Sequence, residues 1–172
     1  PMETKERRAA LQERLQASSE AVTGTALAQE FGVSRQVIVG DIAILRAAGS
    51  RIVATPQGYW IPKENIKQTI QATLVCRHDN TQLAAELFTV VDRGGCVLDV
   101  AVEHPLYGEL KGALRLSSRR DVERFLHNLG EAQAEPLSLL TGGVHLHTIE
   151  VPDRETLQEI EAELAKMGIL VR

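Results

Sequence analysis

The sequence predicts an α+β protein in two parts, residues 1–62 and 69–172, joined by a linker at 63–68. In the first part, apolar residues recur at helical spacing, as Leu11 and Leu15 do, before a short hairpin. In the second part, strand and helix patterns alternate in the order βαββαββα, which favours a sandwich of a mainly antiparallel sheet with helices on one face. Aromatic residues make up 3% of the chain and hydrophobic residues 44%, so we expect cores of Leu, Ile, Val and Ala.

The first part is predicted to contain three helices and a two-stranded hairpin. We expect helices at 5–17, 26–31 and 35–48, and strands at 52–54 and 59–62. Gly32 suits the end of the second helix, and Ser34 suits the N-cap of the third. Two helices joined by a tight turn, with one helix before them and a hairpin after them, form a winged helix-turn-helix. In this module the last helix enters the major groove of DNA.

The start of the third helix carries side chains suited to DNA. Arg35 can bind guanine or phosphate, and Gln36 can bind adenine or phosphate, while Ser34 and the free N–H groups there suit phosphate. The predicted DNA-binding residues of the helix and the wing are Ser34, Arg35, Gln36, Val39, Arg46, Thr55 and Gln57. The alternative is a bundle of the same shape that contacts only protein, and the complete series with its wing favours DNA.

The net charge of −4 is unusual for a DNA-binding protein, but it is unevenly distributed. Residues 1–62 carry seven basic and six acidic side chains, whereas the remainder carries 12 basic and 17 acidic ones. Only the part that contacts DNA needs a basic face. Composition alone therefore leaves DNA binding open.

The second part is predicted to contain two hairpins, which turn at 104–108 and 141–143. We expect strands at 70–77, 96–103, 109–116, 137–140 and 144–151, and helices at 81–93, 119–134 and 153–166, with room for a further short strand at 169–171. Cys76 and Cys96 show no CxxC or disulfide pattern and are expected to be buried thiols of a cytoplasmic protein. No apolar run approaches the ~20 residues that cross a bilayer, so we expect no membrane span.

Three histidines and one glutamate of the second part are candidate metal ligands. His145 and His147 lie two residues apart on a predicted strand, so both side chains project from one face. His78 ends another strand, and Glu86 lies eight residues later on the following helix. If these strands are neighbours, the four residues converge on one divalent ion. The alternative is a set of buried, hydrogen-bonded histidines.

The chain resembles the NiaR family of niacin-responsive repressors, which carry a 3H domain. The resemblance rests on VSRQVIV at 33–39, IVATPQGY at 52–59 and VEHPLYGE at 102–109, and it covers nearly the whole chain. It implies an HPr-like second domain that controls DNA binding. It also implies a homodimer that binds operator DNA when nicotinic acid is present as co-repressor, and target genes of NAD synthesis or niacin uptake.

The resemblance also implies a ligand set and a place for the effector. The implied metal ligands are His78, Glu86, His145 and His147, with nickel suggested by the family and zinc or iron compatible with the donors. His104 and Tyr107 would lie in the wall of the effector pocket, or alternatively His104 caps the turn and Tyr107 packs. Cys76 shares a strand face with His78, but we expect it to be a structural thiol rather than a fifth ligand.

Two other functions are compatible with a His/Glu site. The first is a metal sensor, in which the ion itself is the signal. The second is a metal-dependent hydrolase, which is disfavoured because no HExxH motif, nucleophile arrangement or phosphate loop accompanies the ligands.

Overall fold

The computed structural model describes residues 2–63 and 68–172. The chain divides into two compact units, Pro1–Asn65 and Ile66–Arg172. Of the linker predicted at 63–68, residues 64–67 lie outside the described residues.

The N-terminal unit contains three helices and a hairpin. These are α1 (Thr4–Ala17), α2 (Gly24–Phe31), α3 (Arg35–Ala47), β1 (Val53–Thr55) and β2 (Gly58–Trp60). The Thr23 and Ser34 hydroxyls accept hydrogen bonds from backbone N–H groups of α2 and α3, which fixes both helix starts. Gly32 ends α2 in the left-handed region with a φ of 64°. The helices enclose a core of Leu11, Leu15, Leu27, Ile38, Ile42 and Ile52.

The hairpin is held against the segment that precedes α2. Strands β1 and β2 pair with Thr55 opposite Gly58, and Val22 and Tyr59 exchange two backbone hydrogen bonds of 2.9 and 2.8 Å. Gly58 has a φ of 121°, and a Cβ there would overlap the backbone of Val22. A glycine at this position therefore lets the hairpin approach the helical bundle closely.

A buried carboxylate joins α1 to α3. Asp41 is 2% exposed and accepts hydrogen bonds from Arg7 at 2.6 and 3.1 Å and from Arg8 at 3.1 Å. Burial raises the pKa of Asp41, but the hydrogen bonds and charges of the two arginines lower it, and the net pKa lies below the ordinary value. The charge of this carboxylate therefore stabilises the packing of the first helix on the third.

The described residues of the C-terminal unit, 68–172, form four strands, three α-helices and two short 3₁₀ helices. The strands are β3 (Ile70–Arg77), β4 (Cys96–His104), β5 (Gly108–Leu116) and β6 (Val144–Val151). The helices are α4 (Leu83–Val91), α5 (Arg119–Glu131) and α6 (Arg154–Lys166), and the 3₁₀ helices span Asn80–Gln82 and Leu137–Thr141. The strand order is β3-β6-β4-β5, and every pair is antiparallel.

One face of the sheet carries the core. Alternate residues of β3 and β6, such as Leu74 and Ile149, are buried, whereas residues between them, such as Gln71 and Thr73, are exposed. The buried side chains pack with residues of α4, α5 and α6 in one cluster. The predicted α+β class, with a mainly antiparallel sheet and helices on one face, is confirmed. None of the described helices is long and apolar enough to cross a bilayer.

The strand predicted at 137–140 is wrong, because this segment forms the 3₁₀ helix. Pro136 precedes it and its carbonyl accepts the Leu139 N–H at 3.1 Å, while the Gly143 N–H donates to the Ser138 carbonyl at 2.8 Å. Gly142 closes the turn in the left-handed region. Local hydrogen bonds thus replace a strand ladder, and the order becomes βαββαβα. Residues 169–171 instead add a short bridge at β3, where Leu170 pairs with Cys76.

Replacement of Asp41 by Ala is expected to lower the free energy of unfolding by roughly 1–3 kcal/mol, because it removes hydrogen bonds from charged donors to a buried acceptor. Urea denaturation of the full chain measures this. The control is Glu30→Ala, which breaks an exposed pair with Arg14 and is expected to cost less than about 1 kcal/mol.

The Asp41 contribution has a defined pH dependence. A lowered folded-state pKa stabilises the fold fully above the unfolded value of about 4, and the effect is lost as the pH falls through the lowered folded value. The stability difference between the wild type and Asp41→Ala should therefore shrink in acid. A difference that is independent of pH between neutral and strongly acidic solution would contradict the assigned ion pair.

Candidate metal centre and DNA-binding surface

The structure brings the four predicted metal ligands together. His145 and His147 project from one face of β6, and β3 pairs with β6 so that Cys76 lies opposite His145. His78 follows the end of β3, and Glu86 lies on α4, which packs on that face. All four side chains are buried, and Glu86 is 1% exposed.

The histidines surround the Glu86 carboxylate. Nε2 of His145 lies 2.7 Å from Oε2, Nε2 of His78 lies 2.9 Å from the same oxygen, and Nε2 of His147 lies 2.7 Å from Oε1. The His78–His145 and His145–His147 ring centroids are 4.7 and 4.8 Å apart. Three ring nitrogens and a carboxylate thus share one small buried volume.

Hydrogen bonds to the backbone determine which nitrogen of each imidazole points at Glu86. Nδ1 of His78 donates to the Asp79 carbonyl at 2.6 Å, Nδ1 of His145 to Gly143 at 2.8 Å, and Nδ1 of His147 to Asp99 at 2.7 Å. A carbonyl can only accept, so each Nδ1 carries the proton. In the neutral ring, each Nε2 is then a lone pair directed at Glu86. Metal-binding histidines are commonly oriented in this way.

This donor set fits a divalent cation. Neutral imidazoles would turn three lone pairs toward a carboxylate that can only accept, and three imidazolium ions would place excess positive charge in a buried space. Nε2 of His78 is buried and makes no hydrogen bond despite its short distance to Glu86. A cation among the four groups would satisfy every lone pair.

The ionisation of these groups follows from their mutual contacts. Burial raises the pKa of Glu86, but protonated histidines around the carboxylate, His147 foremost, lower it, and the net pKa lies well below the ordinary range. Burial lowers the pKa of His78 and of His147, whereas Glu86 raises both, with a net rise in each. The carboxylate is therefore held ionised at the centre of the cluster.

The turn before β6 positions two of the histidines. Gly143 has a φ of 97°, and a Cβ there would overlap the carbonyl oxygen of His78. Its own carbonyl accepts from both His145 Nδ1 and the His78 N–H. The close approach of this turn to the end of β3, which requires glycine, therefore places His78 beside His145.

A largely apolar cavity of about 190 Å³ adjoins the cluster. Glu86, His145 and His147 form part of its wall. The rest includes apolar side chains of β4, β5, α4, α5 and the second 3₁₀ helix, among them Val100, Leu114, Leu87, Phe125 and Leu137. The cavity is suited to a small molecule with apolar surface and a polar group that faces the cluster.

The structure does not bring His104 and Tyr107 to this cavity. His104 ends β4 and Tyr107 lies in the turn between β4 and β5, and neither lines the cavity. Tyr107 is 71% exposed, and His104 Nδ1 accepts hydrogen bonds from the N–H groups of Leu106 and Tyr107. His104 thus caps the turn, as in the alternative interpretation of the sequence.

Cys76, which the sequence analysis expected to be a structural thiol on the strand face of His78, lies beside the cluster. Its burial is confirmed, but its Sγ and donor atoms of Glu86 and His145 all lie within 4.8 Å of one another. Burial and the Glu86 carboxylate raise the pKa of the thiol far above its ordinary value. The signal in the sequence was the two-residue spacing to His78, which places both on one strand face.

The predicted DNA-binding residues form an exposed surface on α3. Ser34, Arg35, Gln36, Val39 and Arg46 are all exposed. The Ser34 oxygen accepts the Val37 N–H at 3.2 Å and so caps the helix.

The predicted DNA-binding residues of the wing are less exposed than those of α3. Thr55 and Gln57 are half-buried, and the Thr55 hydroxyl donates to the Gly58 carbonyl and accepts the Gln57 N–H, so it organises the turn. Arg35 and Thr55 line one groove with Thr25 at the start of α2. Thr25 is not among the residues that the sequence analysis predicted to bind DNA.

Comparisons with known proteins agree with this architecture. Residues 7–60 match the HTH domain family, and residues 71–172 match the 3H domain family. The chain is 47% identical to a probable transcription repressor NiaR of Thermotoga maritima, over 91% of this chain and 89% of the relative. It is 39% identical to the transcription repressor NadR of Bacillus subtilis, over 92% and 89%. The chain therefore belongs to the family of NiaR- and NadR-type transcription repressors, in which a helix-turn-helix domain precedes a 3H domain.

Proposed function

We propose that this repressor binds a divalent transition metal through His78, Glu86, His145 and His147, and that nicotinic acid binds beside this centre as co-repressor. The observation that carries the proposal is the convergence of three Nε2 atoms on the buried Glu86 carboxylate, at the wall of an apolar cavity. The metal would supply a Lewis-acidic coordination position for the effector.

The donor atoms restrict the choice of metal. Imidazole nitrogen suits nickel, zinc, iron and copper, whereas calcium and magnesium prefer oxygen donors alone. Three imidazoles and one carboxylate leave coordination positions free on a six-coordinate ion, unlike a closed tetrahedral site. Nickel is the metal that the family resemblance suggests.

The cavity, rather than the β4–β5 turn, is the effector site that we propose. Phe125, Leu129 and Leu137 provide apolar contacts for the faces of a pyridine ring, and the histidine cluster lies at one side of the same cavity. The carboxylate or the ring nitrogen of nicotinic acid would be directed at the metal. His104 and Tyr107 line no part of this cavity, so we assign them no effector contact.

Regulation requires that the effector stabilise one state of the repressor more than another. We infer that nicotinate favours the state that binds the operator, and that two copies of the chain bind the two halves of a palindromic site. Genes of NAD synthesis or niacin uptake are the expected targets because of the family resemblance.

A second candidate is a metal-responsive repressor, in which the ion alone controls DNA affinity. This candidate is supported by the cluster itself, in which all three histidines already contact Glu86. Titration of the metal against operator affinity without nicotinate distinguishes the two functions. A full response to the metal alone supports the second candidate.

The metal centre is tested by Glu86→Gln, which removes the charge that the three histidines surround. We expect metal affinity to fall by more than about tenfold, measured by competition with a chromophoric chelator. The control is His104→Ala, which removes a histidine outside the cluster and should retain wild-type affinity. Equal affinity of Glu86→Gln and the wild type would refute the assignment.

The role of the metal in effector binding is tested by calorimetry with nicotinate. Because the free coordination position belongs to the ion, metal-free protein should bind nicotinate more weakly than metal-loaded protein. Equal affinity in the two forms would show that the effector does not bind at the metal.

The cavity is tested by Gly112→Val. A Cβ at Gly112 would make ordinary contacts of 3.6 Å with Leu137 and 3.7 Å with Val100, so the backbone accepts it, but the added methyl groups narrow the cavity. We expect at least tenfold weaker nicotinate binding with unchanged metal content. Tyr107→Phe, in the exposed turn, is the matched control. Loss of affinity in the control alone would place the effector at the turn.

The DNA surface is tested by Arg35→Ala. Loss of a guanine or phosphate contact is expected to weaken operator binding by roughly 5- to 150-fold, measured by fluorescence anisotropy on an operator located by footprinting. Arg14→Ala removes an equal charge that is already paired with Glu30 and should have little effect. Similar losses in both variants would indicate a general charge effect rather than contact by α3.

A further inference from the structure

We propose that the thiolate of Cys76 is a fifth ligand of the metal ion, so that the centre has three nitrogen, one oxygen and one sulfur donor. This inference rests on the metal centre proposed above. It revises the expectation from sequence that Cys76 is only a structural thiol.

The first argument is the position of the sulfur. Cys76 Sγ, a Glu86 carboxylate oxygen and a His145 ring nitrogen lie within 4.8 Å of one another, and all three residues are buried. A sulfur at about 2.3 Å and a nitrogen at about 2.1 Å on opposite sides of one ion are roughly 4.4 Å apart. The 4.8 Å limit on the three separations is therefore close to the largest distance expected between two donors of one ion.

The backbone explains why the sulfur faces the cluster. Cys76 is directly opposite His145 in the antiparallel pair of β3 and β6, and residues in register project from the same face. Leu74 pairs with His147 in the same way, two residues earlier on β3. The Cys76 side chain is fully buried on the face that carries the ligands.

A second, independent observation indicates that the cluster is built for a ligand. Nε2 of His78 is buried on a side chain that is 1% exposed, and it makes no hydrogen bond although it lies 2.9 Å from Oε2 of Glu86. Nδ1 of the same ring is already bound to the Asp79 carbonyl. Cys76 lies two residues before His78 in the sequence and adds a further donor beside the Glu86 carboxylate.

Charge balance supports a thiolate rather than a thiol at this position. Before any effector binds, a divalent ion with one carboxylate and three neutral imidazoles leaves a net charge of +1 in a buried site, and burial of an unbalanced charge is unfavourable. When the metal–sulfur bond forms, the S–H bond breaks and the proton passes to solvent, with no change of oxidation state. The buried set then has no net charge.

The rival is a protonated Cys76 that only donates a hydrogen bond to Glu86 beside a four-ligand metal. Reconstitution of the full-length protein with Co²⁺ separates the two, because a cobalt–thiolate bond gives an intense sulfur-to-metal charge-transfer band in the near ultraviolet. The band is expected in the wild type and in Cys96→Ser, which removes the other, half-buried cysteine. It should be lost in Cys76→Ser with Co²⁺ still bound.

Co²⁺ bound to the wild type without a sulfur band, or a band that persists in Cys76→Ser, would overturn the inference and leave the four-ligand centre intact. Failure of the wild type to bind Co²⁺, Ni²⁺ or Zn²⁺ would overturn both. If Cys76→Ser does not fold, X-ray absorption of the wild type decides the question. A sulfur scatterer in the first shell supports the inference, and a shell of only nitrogen and oxygen overturns it.

Discussion

The C-terminal unit is organised around one ionised carboxylate, Glu86, which lies in a buried position and is faced by three imidazoles. The imidazoles are held in turn by three backbone carbonyls, at Asp79 after β3, at Gly143 before β6 and at Asp99 in β4. A small displacement of any of these segments would turn a ring nitrogen away from the carboxylate. The arrangement of the cluster therefore depends on the backbone positions of β3, β4 and β6 and on α4.

The cavity connects the histidine cluster to the helices. Its wall includes Phe125 and Leu129 of α5 and Leu137 of the 3₁₀ helix, beside His145 and His147. A molecule bound there would touch the sheet, α4, α5 and the segment between α5 and β6 together. Such contacts, made to several elements at once, can stabilise one arrangement of the unit over another, which is the requirement for an effector.

The sequence was sufficient to predict which histidines and which glutamate form the cluster, but not every contact of the cluster with its neighbours. The two-residue period of a strand predicted that His145 and His147 share a face. The positions of His78 and Glu86 made them candidates if the two strands were neighbours, and the family resemblance implied all four as ligands. The pairing of β3 with β6 joins segments about 70 residues apart, and no local pattern determines its register, so the position of Cys76 opposite His145 could not be derived. At 137–140, the alternating leucines fitted the pattern of a strand. Pro136 and Gly142 instead favour the local hydrogen bonds of the 3₁₀ helix.

The N-terminal unit has nearly equal numbers of acidic and basic side chains, but they are not equally exposed on α3. The sequence of α3 contains one acidic residue, Asp41, and the fold turns it inward against Arg7 and Arg8. The exposed side chains of α3 therefore include Arg35 and Arg46 and no carboxylate. Since phosphate is repelled by exposed acids rather than by buried, paired ones, the helix face suits DNA more than the net charge indicates. The ion pair that stabilises the bundle thus also removes the negative charge from the surface of the recognition helix.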